Sequence, residues 1–456
     1  MNAYQELLDG QRAFFNSNAT KSVSFRKEQM KKLLQLLKDN EAELDKAIYA
    51  DFKKSSFENY ATELSMIYSE LKHSIKKVKY WSQKKWVATN LANFPGSSYI
   101  IPEPLGNTLV IGAWNYPYLL SLHPAISAIA AGNTVILKPS ELAMNTSNLM
   151  AKLINENFDS NYFHVIEGGV KETTELLEQK FDKIFYTGSS SVGKIIMRAA
   201  SEHLTPVVLE LGGKSPAIIT KGASIKMATK RLVWGKFLNG GQTCVAPDYL
   251  MVDKSIKAQL IEEIKKQITA IHGDDPQKSE AFVRIINPRH FKRLTQLIDQ
   301  NKVIVGGNTD EQNLYIAPTL MDKVNWDDAV MKEEIFGPIL PILEYDDLDD
   351  AIAQIKAQAK PLALYLFTNK KSIRDKVFHE ISFGGGALNE TIMHLANPNL
   401  PFGGVGNSGT GSYHGEYGFA AFSHQKSIIQ KTTWFEPFIK YAPYNSFKLN
   451  ILKKMM

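Results

Sequence analysis

The chain holds one cysteine, Cys244, in N-G-G-Q-T-C-V-A-P-D-Y (239–249), where glycines, a polar pair and a proline leave little to bury. A lone thiol is ordinarily inert packing, but a loop of this composition suits a thiol held where a substrate reaches it. That chemistry is covalent nucleophilic catalysis, which also needs an oxyanion donor and a base. Asn115, in I-G-A-W-N-Y-P (111–117), carries an amide able to donate to a developing oxyanion alongside the Cys244 backbone N–H; a turn-forming Asn fits the local sequence equally well. Glu210, in L-E-L-G-G-K-S-P (209–216), ends an apolar run beside a glycine pair. A lone carboxylate in such surroundings tends toward a raised pKa, useful in a general base. A buried ion pair is the alternative.

Two glycine patterns bear on nucleotide binding. Gly404-Val405-Gly406-Asn407-Ser408-Gly409 matches G-x-G-x-x-G, but Pro401 and Phe402 precede it and the chain is nearly finished, so it reads as a tight loop. Gly188-Ser189-Ser190-Ser191-Val192-Gly193-Lys194 is followed by Ile195, where a P-loop needs Ser or Thr for magnesium. Its context is still informative. A strand at Lys183–Tyr186 leads into the glycine turn, and 192–202 reads as a helix, whose N-terminus offers free N–H groups to a phosphate. A plain glycine turn is the alternative.

The elements that must position these residues follow from periodicity. The first ~95 residues read as helical, with Leu33, Leu34 and Leu37, then Leu71, Ile75 and Val78, at three- and four-residue steps. From about 105 to 215 short apolar strands alternate with helices: 109–114, 134–137, 162–166, 183–186 and 207–209. Residues 104–137 carry no charge, yet Gly112, Pro117, Pro124 and Gly132 punctuate them, so they read as two buried strands flanking a helix over 119–131 and not as a membrane span. A second alternating stretch runs from 217 to about 389, with strands at 249–252, 303–305 and 362–367. The alternation predicts α/β architecture with parallel sheets. The tail after Ser423 reads as irregular, ending in the basic, partly apolar segment 447–456.

Composition bounds the rest. The 456 residues are 44% hydrophobic and 22% charged, ordinary for a globular chain of two large lobes. The net charge of +6 is interspersed, without a basic stripe, which disfavours nucleic acid as a partner. One cysteine and no H-E-x-x-H exclude the usual zinc arrangements, so no metal is expected. The N-terminus lacks a basic-then-apolar leader, and a reducing, cytoplasmic setting is expected.

Taken together, the motifs resemble the aldehyde dehydrogenase superfamily from the first helices to about residue 430. The resemblance is nearest to the class 3 and fatty aldehyde dehydrogenases, by W-G-K-F-L-N-G-G-Q-T-C-V-A-P-D-Y (234–249), E-T-T-E-L-L (172–177) and L-P-F-G-G-V-G-N-S-G (400–409). It implies oxidation of aldehydes to carboxylic acids: Cys244 as nucleophile, Asn115 as oxyanion ligand, and Glu210 as the base for the deacylating water. It implies NAD as coenzyme, with NADP usable. Lys138 and Glu141, in L-K-P-S-E (137–141), would hold the adenosine ribose. Gly188, Ser189 and Gly193 would border the diphosphate, and Glu334 and Phe336, in E-E-I-F-G-P (333–338), the nicotinamide ribose and ring. Asn389 and Phe402 match family positions near the active site. The aromatic residues Tyr116 and Trp234 suggest an apolar pocket for medium-chain aliphatic or aromatic aldehydes.

The implied fold has a Rossmann-type coenzyme domain (1–84 and 105–209), an α/β catalytic domain (210–396) and a small bridging element with tail (85–104 and 397–456) that builds a homodimer. Phe447–Met456 is too short to span a bilayer. Rival readings are a phosphotransferase resting on 188–194 alone, a non-catalytic binding protein, and an acylating relative that hands the acyl group to coenzyme A. The Cys–Asn–Glu set argues against the second, and Glu210 against the third.

Overall fold

The structure is a computed structural model and describes residues 4–455. Four long helices, Gln5–Asn16, Val23–Asp39, Glu41–Phe52 and Ser65–Trp81, open the chain. Leu33, Leu37, Leu71 and Val78 turn fully inward, with Leu34 and Ile75 packed half-buried beside them, as their spacing requires.

The first sheet has six strands in the order Gly409–Thr410, Val207–Glu210, Lys183–Thr187, Asn107–Ile111, Thr134–Lys138 and Phe163–Val165. All neighbours are parallel except Gly409–Thr410, which runs antiparallel to Val207–Glu210. The chain therefore builds outward in one direction from Asn107–Ile111, then returns to build outward on its other side. That reversal is a topological switch point, where a crevice opens beyond the strands' carboxyl ends. The helix Leu119–Ala131 is buried over its whole length, which accounts for the charge-free run.

The second sheet has seven strands, ordered Val303–Val305, Thr319–Met321, Ile339–Tyr345, Tyr249–Asp253, Pro216–Ile219, Ala363–Phe367 and Gly385–Leu388. Only Val303–Val305 is antiparallel to its neighbour. A third sheet, antiparallel, joins Lys85–Val87, Gly96–Pro104 and Ser423–Lys431.

Two expectations need correction. The tail after Ser423 is not irregular: Ser423–Lys431 pairs residue for residue with Gly96–Pro104, and Ser446–Met455 is a helix. The strand exposes most of its side chains, so neither alternation nor an apolar run marks it, and only pairing with a remote segment makes it a strand. The strand expected over 109–114 spans Asn107–Ile111 instead. Gly112 still donates to Lys138 O at 3.0 Å, after which the chain turns away and carries Asn115 out of the sheet. Among the described residues no helix is long and apolar enough to cross a membrane.

Candidate active site

Three remote segments meet at the switch point. Glu210 closes the strand Val207–Glu210, and its carbonyl accepts the Gly188 N–H at 3.0 Å, joining the base candidate to the glycine turn. Asn115, buried after the turn at Gly112, donates from Nδ2 to Gln242 O at 3.0 Å, two residues before Cys244. An amide has two N–H donors, so this bond fixes its direction and leaves the second for an oxyanion.

The nucleophile loop has an unusual backbone. Asn239, Gly240 and Gly241 follow one another in left-handed conformation, with φ of 53°, 60° and 73°. Glycine adopts this freely, whereas Asn239 needs support. Its amide donates to Asn115 O at 2.8 Å and Gln242 O at 3.2 Å, and its backbone N–H donates to buried Glu58 at 2.9 Å. Gln242 locks the other side, donating to Asn239 O and Arg284 O and accepting from Ile286 N–H, all at 3.1 Å. Cys244 emerges partly exposed from this frame.

Glu210 is 3% exposed, and both carboxyl oxygens lack a hydrogen-bond partner. The ion-pair alternative is thereby removed. Burial pushes its pKa well above the usual carboxylate range. Burial, followed by the nearby charges of Glu334 and Glu210, pushes the Cys244 thiol up to about 12. The resting thiol is therefore protonated at neutral pH. Since the thiolate is the reactive form, alkylation of the coenzyme-free protein by iodoacetamide is expected to be slow at pH 7 and still rising at pH 10. Removing the Glu334 carboxyl, which ionises near pH 8, by Glu334→Gln lowers the thiol pKa and should speed alkylation several-fold above pH 8. An unchanged rate in that variant would show that the carboxylate does not act on the thiol.

The residues expected to hold a dinucleotide lie at the ends of first-sheet strands, in the turns after them, and in the segment over Gly212. Lys138 ends its strand buried, with Nζ bonded to Glu141 at 3.0 Å and Pro139 O at 3.1 Å, while the Glu141 side chain stays 45% exposed. A Cβ at Gly188 would strike the Tyr186 hydroxyl, so the strand-to-helix turn stays open only with glycine. Ser189 caps the helix Ser190–Ser201 by accepting the Val192 N–H, and Gly193 lets that helix settle on Leu211. Glu334 lies over Gly212, whose missing side chain leaves the room, and burial followed by Asp248 raises its carboxyl to about 8. Phe336 meets Trp114 edge-on at 5.4 Å. An open turn at a helix N-terminus and carboxylates at either end of the crevice fit a dinucleotide.

The four residues expected around the substrate divide. Trp234 is half-buried against the main core. Phe402 stacks on His414 at 5.2 Å, within an aromatic group that includes Tyr413 and His394. Tyr116 is buried. Its hydroxyl bonds Thr243 Oγ1 at 2.6 Å, and Lys54, paired with Glu63 at 2.7 Å, sits 4.2 Å beneath its ring. Asn389 likewise spends its side chain on Thr368, accepting from its N–H at 2.9 Å and donating to its carbonyl at 3.0 Å.

Sequence reasoning missed Asn239, Gln242 and Thr243 as supports, although their place beside a glycine pair was a signal. It also missed Tyr413 and His414, buried neighbours of the site. Cys244 and Glu210 both raise the Tyr413 pKa, after burial, and His414 holds φ of 83°. Nothing local in S-Y-H-G marks them.

The sequence model of the Aldehyde dehydrogenase family matches residues 3–428. A Staphylococcus aureus protein called 4,4'-diaponeurosporen-aldehyde dehydrogenase is 50% identical over 97% of both chains. A rat aldehyde dehydrogenase described as dimeric and NADP-preferring is 45% identical over 95% of both. The solved substrate-bound state of Staphylococcus aureus AldH superposes with a TM-score of 0.98 at 49% identity, covering 100% of this chain and 99% of that one. A Mycobacterium tuberculosis aldehyde dehydrogenase complexed with NAD+ superposes at 0.85 with 26% identity, over 94% and 90% of the two chains. With near full-length matches in sequence and fold, this chain belongs to the aldehyde dehydrogenase family and is an aldehyde dehydrogenase.

Proposed function

We propose that the protein oxidises apolar aldehydes to carboxylic acids through a thioester on Cys244. The observation that carries this reading is the convergence of an unpartnered carboxyl, an oriented amide and a partly buried thiol from three remote segments. The thiol gives up its proton to solvent water at its partly exposed position as sulfur bonds the carbonyl carbon, and the resulting oxyanion is held by Asn115 Nδ2 and the Cys244 backbone N–H. NAD(P), when bound, would supply the hydride acceptor for oxidation of that carbon to the thioester level. Glu210 then takes a proton from water as its oxygen attacks the thioester carbon. The carbon–sulfur bond breaks, the acid leaves and the thiol is restored.

The coenzyme is NAD(P), with NAD preferred and NADP accepted. Lys138 and Glu141 receive the adenosine ribose, Gly188, Ser189 and Gly193 the diphosphate, and Glu334 and Phe336 the nicotinamide half. A 2′-phosphate is repelled by Glu141 but drawn to Lys138, and the exposed Glu141 side chain is free to swing away. Glu141→Gln is expected to shift the NADP/NAD ratio of kcat/KM toward NADP by about three- to tenfold, the range of a partly screened charge contact. An unchanged ratio would move the ribose elsewhere.

The substrate is a medium-chain aliphatic or aromatic aldehyde, received between Trp234 and the Phe402 aromatic group. The aromatic residues at Trp234 and around Phe402 support this reading. Each buried methylene contributes about 0.8 kcal/mol, so kcat/KM should rise about fourfold per carbon from acetaldehyde until the pocket is full. A flat or falling series to decanal would rule the apolar channel out.

The six-, seven- and three-stranded sheets serve as the cores of the coenzyme, catalytic and bridging parts, although Gly409–Thr410 crosses back from the bridging segment to cover the Glu210 strand. Ser423–Lys431 is an edge strand with Ile429 exposed, which supports homodimer formation through the bridging sheet. A catalytic lone thiol supports a reducing, cytoplasmic location.

A further inference from the structure

The segment Glu333–Pro338 is under strain. Phe336 holds a left-handed φ of 54°, a conformation that a residue with a side chain adopts only when its surroundings hold it there. Three side chains grip the main chain just before it. Asp248 Oδ1 accepts the Ile335 N–H at 2.9 Å, and Arg293 Nη2 donates to Ile335 O at 2.6 Å. Lys214 Nζ donates to Glu333 O at 2.9 Å and Val330 O at 3.0 Å. Lys214 and Asp248 are also ion-paired, with side chains 13% and 4% exposed.

The chain positions of this pair matter. Lys214 lies four residues after Glu210, and Asp248 four residues after Cys244. The Asp248 N–H also donates to Ser215 O at 2.7 Å. One buried pair thus ties the base loop and the nucleophile loop to the segment carrying Glu334 and Phe336. A buried ion pair is a poor stabiliser compared with apolar packing, but it holds a fixed geometry, because both partners are spent on directed bonds to main-chain groups.

We infer that Lys214 and Asp248 are positioning residues that set the nicotinamide half of the coenzyme site against Cys244. They act through Ile335 and Glu333 on Glu334 and Phe336 and need not touch coenzyme or aldehyde. The inference rests on the reading of Glu334 and Phe336 as nicotinamide-side residues. It separates the coenzyme's two halves, because the adenosine side at Lys138 and Gly188 is built on the other sheet.

The test measures the dissociation constants of NAD and of AMP, which carries only the adenosine half, by calorimetry. Lys214→Met is expected to weaken NAD about tenfold, as loss of charged, directed bonds implies, while AMP binding stays unchanged. Asp248→Asn keeps an acceptor for Ile335 but not the ion pair, and should lose less. Lys214→Arg should recover most of the NAD affinity. Should Lys214→Met not fold, the near-isosteric Asp248→Asn carries the same comparison. Unchanged NAD affinity in these variants overturns the inference, as does an AMP affinity weakened as much as that for NAD. Glu334→Gln measured in parallel separates the two levels. If it alters NAD affinity or turnover while Lys214→Met and Asp248→Asn do not, the positioning role fails. If none of the three has any effect, the assignment of the segment to coenzyme fails, and the inference with it.

Discussion

Cys244→Ser is expected to lose dehydrogenase turnover by about 10⁴-fold or more while NAD still binds. A serine hydroxyl ionises far less readily than a thiol, and its oxygen is a poorer nucleophile toward the carbonyl carbon. The exchange is nearly isosteric in a partly exposed position, so the fold and the coenzyme crevice should survive. Steady-state rates with a saturating aldehyde and calorimetric NAD binding check both halves. Because the chain has one thiol, an acyl adduct on the unaltered protein can be assigned without ambiguity. Turnover within tenfold of the unaltered protein would sink the thioester mechanism.

The second large effect is expected at Glu210. Glu210→Gln should slow kcat by about 10²–10⁴-fold, the usual contribution of a positioned base, through deacylation. A burst of NADH close to one per site, with an acyl adduct on Cys244 by mass spectrometry, is the expected signature. No burst and no adduct would place Glu210 before acylation, in activating the thiol. The same variant carries a stability signature. A buried carboxyl whose folded pKa lies above its unfolded value loses stability as pH rises from the unfolded pKa toward the folded one. The Tm of Glu210→Gln relative to the unaltered protein should therefore increase between pH 4.5 and neutrality.

Much of this molecule was legible before any coordinates. The buried helix Leu119–Ala131 lies where its charge-free, proline-punctuated run predicted, and the five parallel strands of the first sheet fall within a few residues of their apolar stretches. Local chemistry is sufficient there: a parallel strand covered on both faces must be apolar throughout, and a glycine turn between strand and helix announces itself. The candidate reactive residues stand out in the sequence for a related reason. A thiol, an amide and a carboxyl set beside glycines are poor choices for packing, and their types suggest chemistry at once.

What the chain could not declare locally was decided by contacts between remote segments. Ser423–Lys431 is a strand only because Gly96–Pro104 offers it a matching edge. Tyr116 and Asn389, plausible as substrate-facing residues by position, turn instead to Thr243 and Thr368, because a buried hydroxyl or amide must find a partner wherever the fold supplies one. Glu210 could equally have been half of an ion pair, and the packing of the strand and the Gly409–Thr410 cover left it without one. Local sequence marked the candidate reactive groups and most of the buried strands and helices. The tertiary structure alone decided which polar groups are satisfied and which are left free to react, because hydrogen-bond partners and desolvation are supplied by residues far away in the chain.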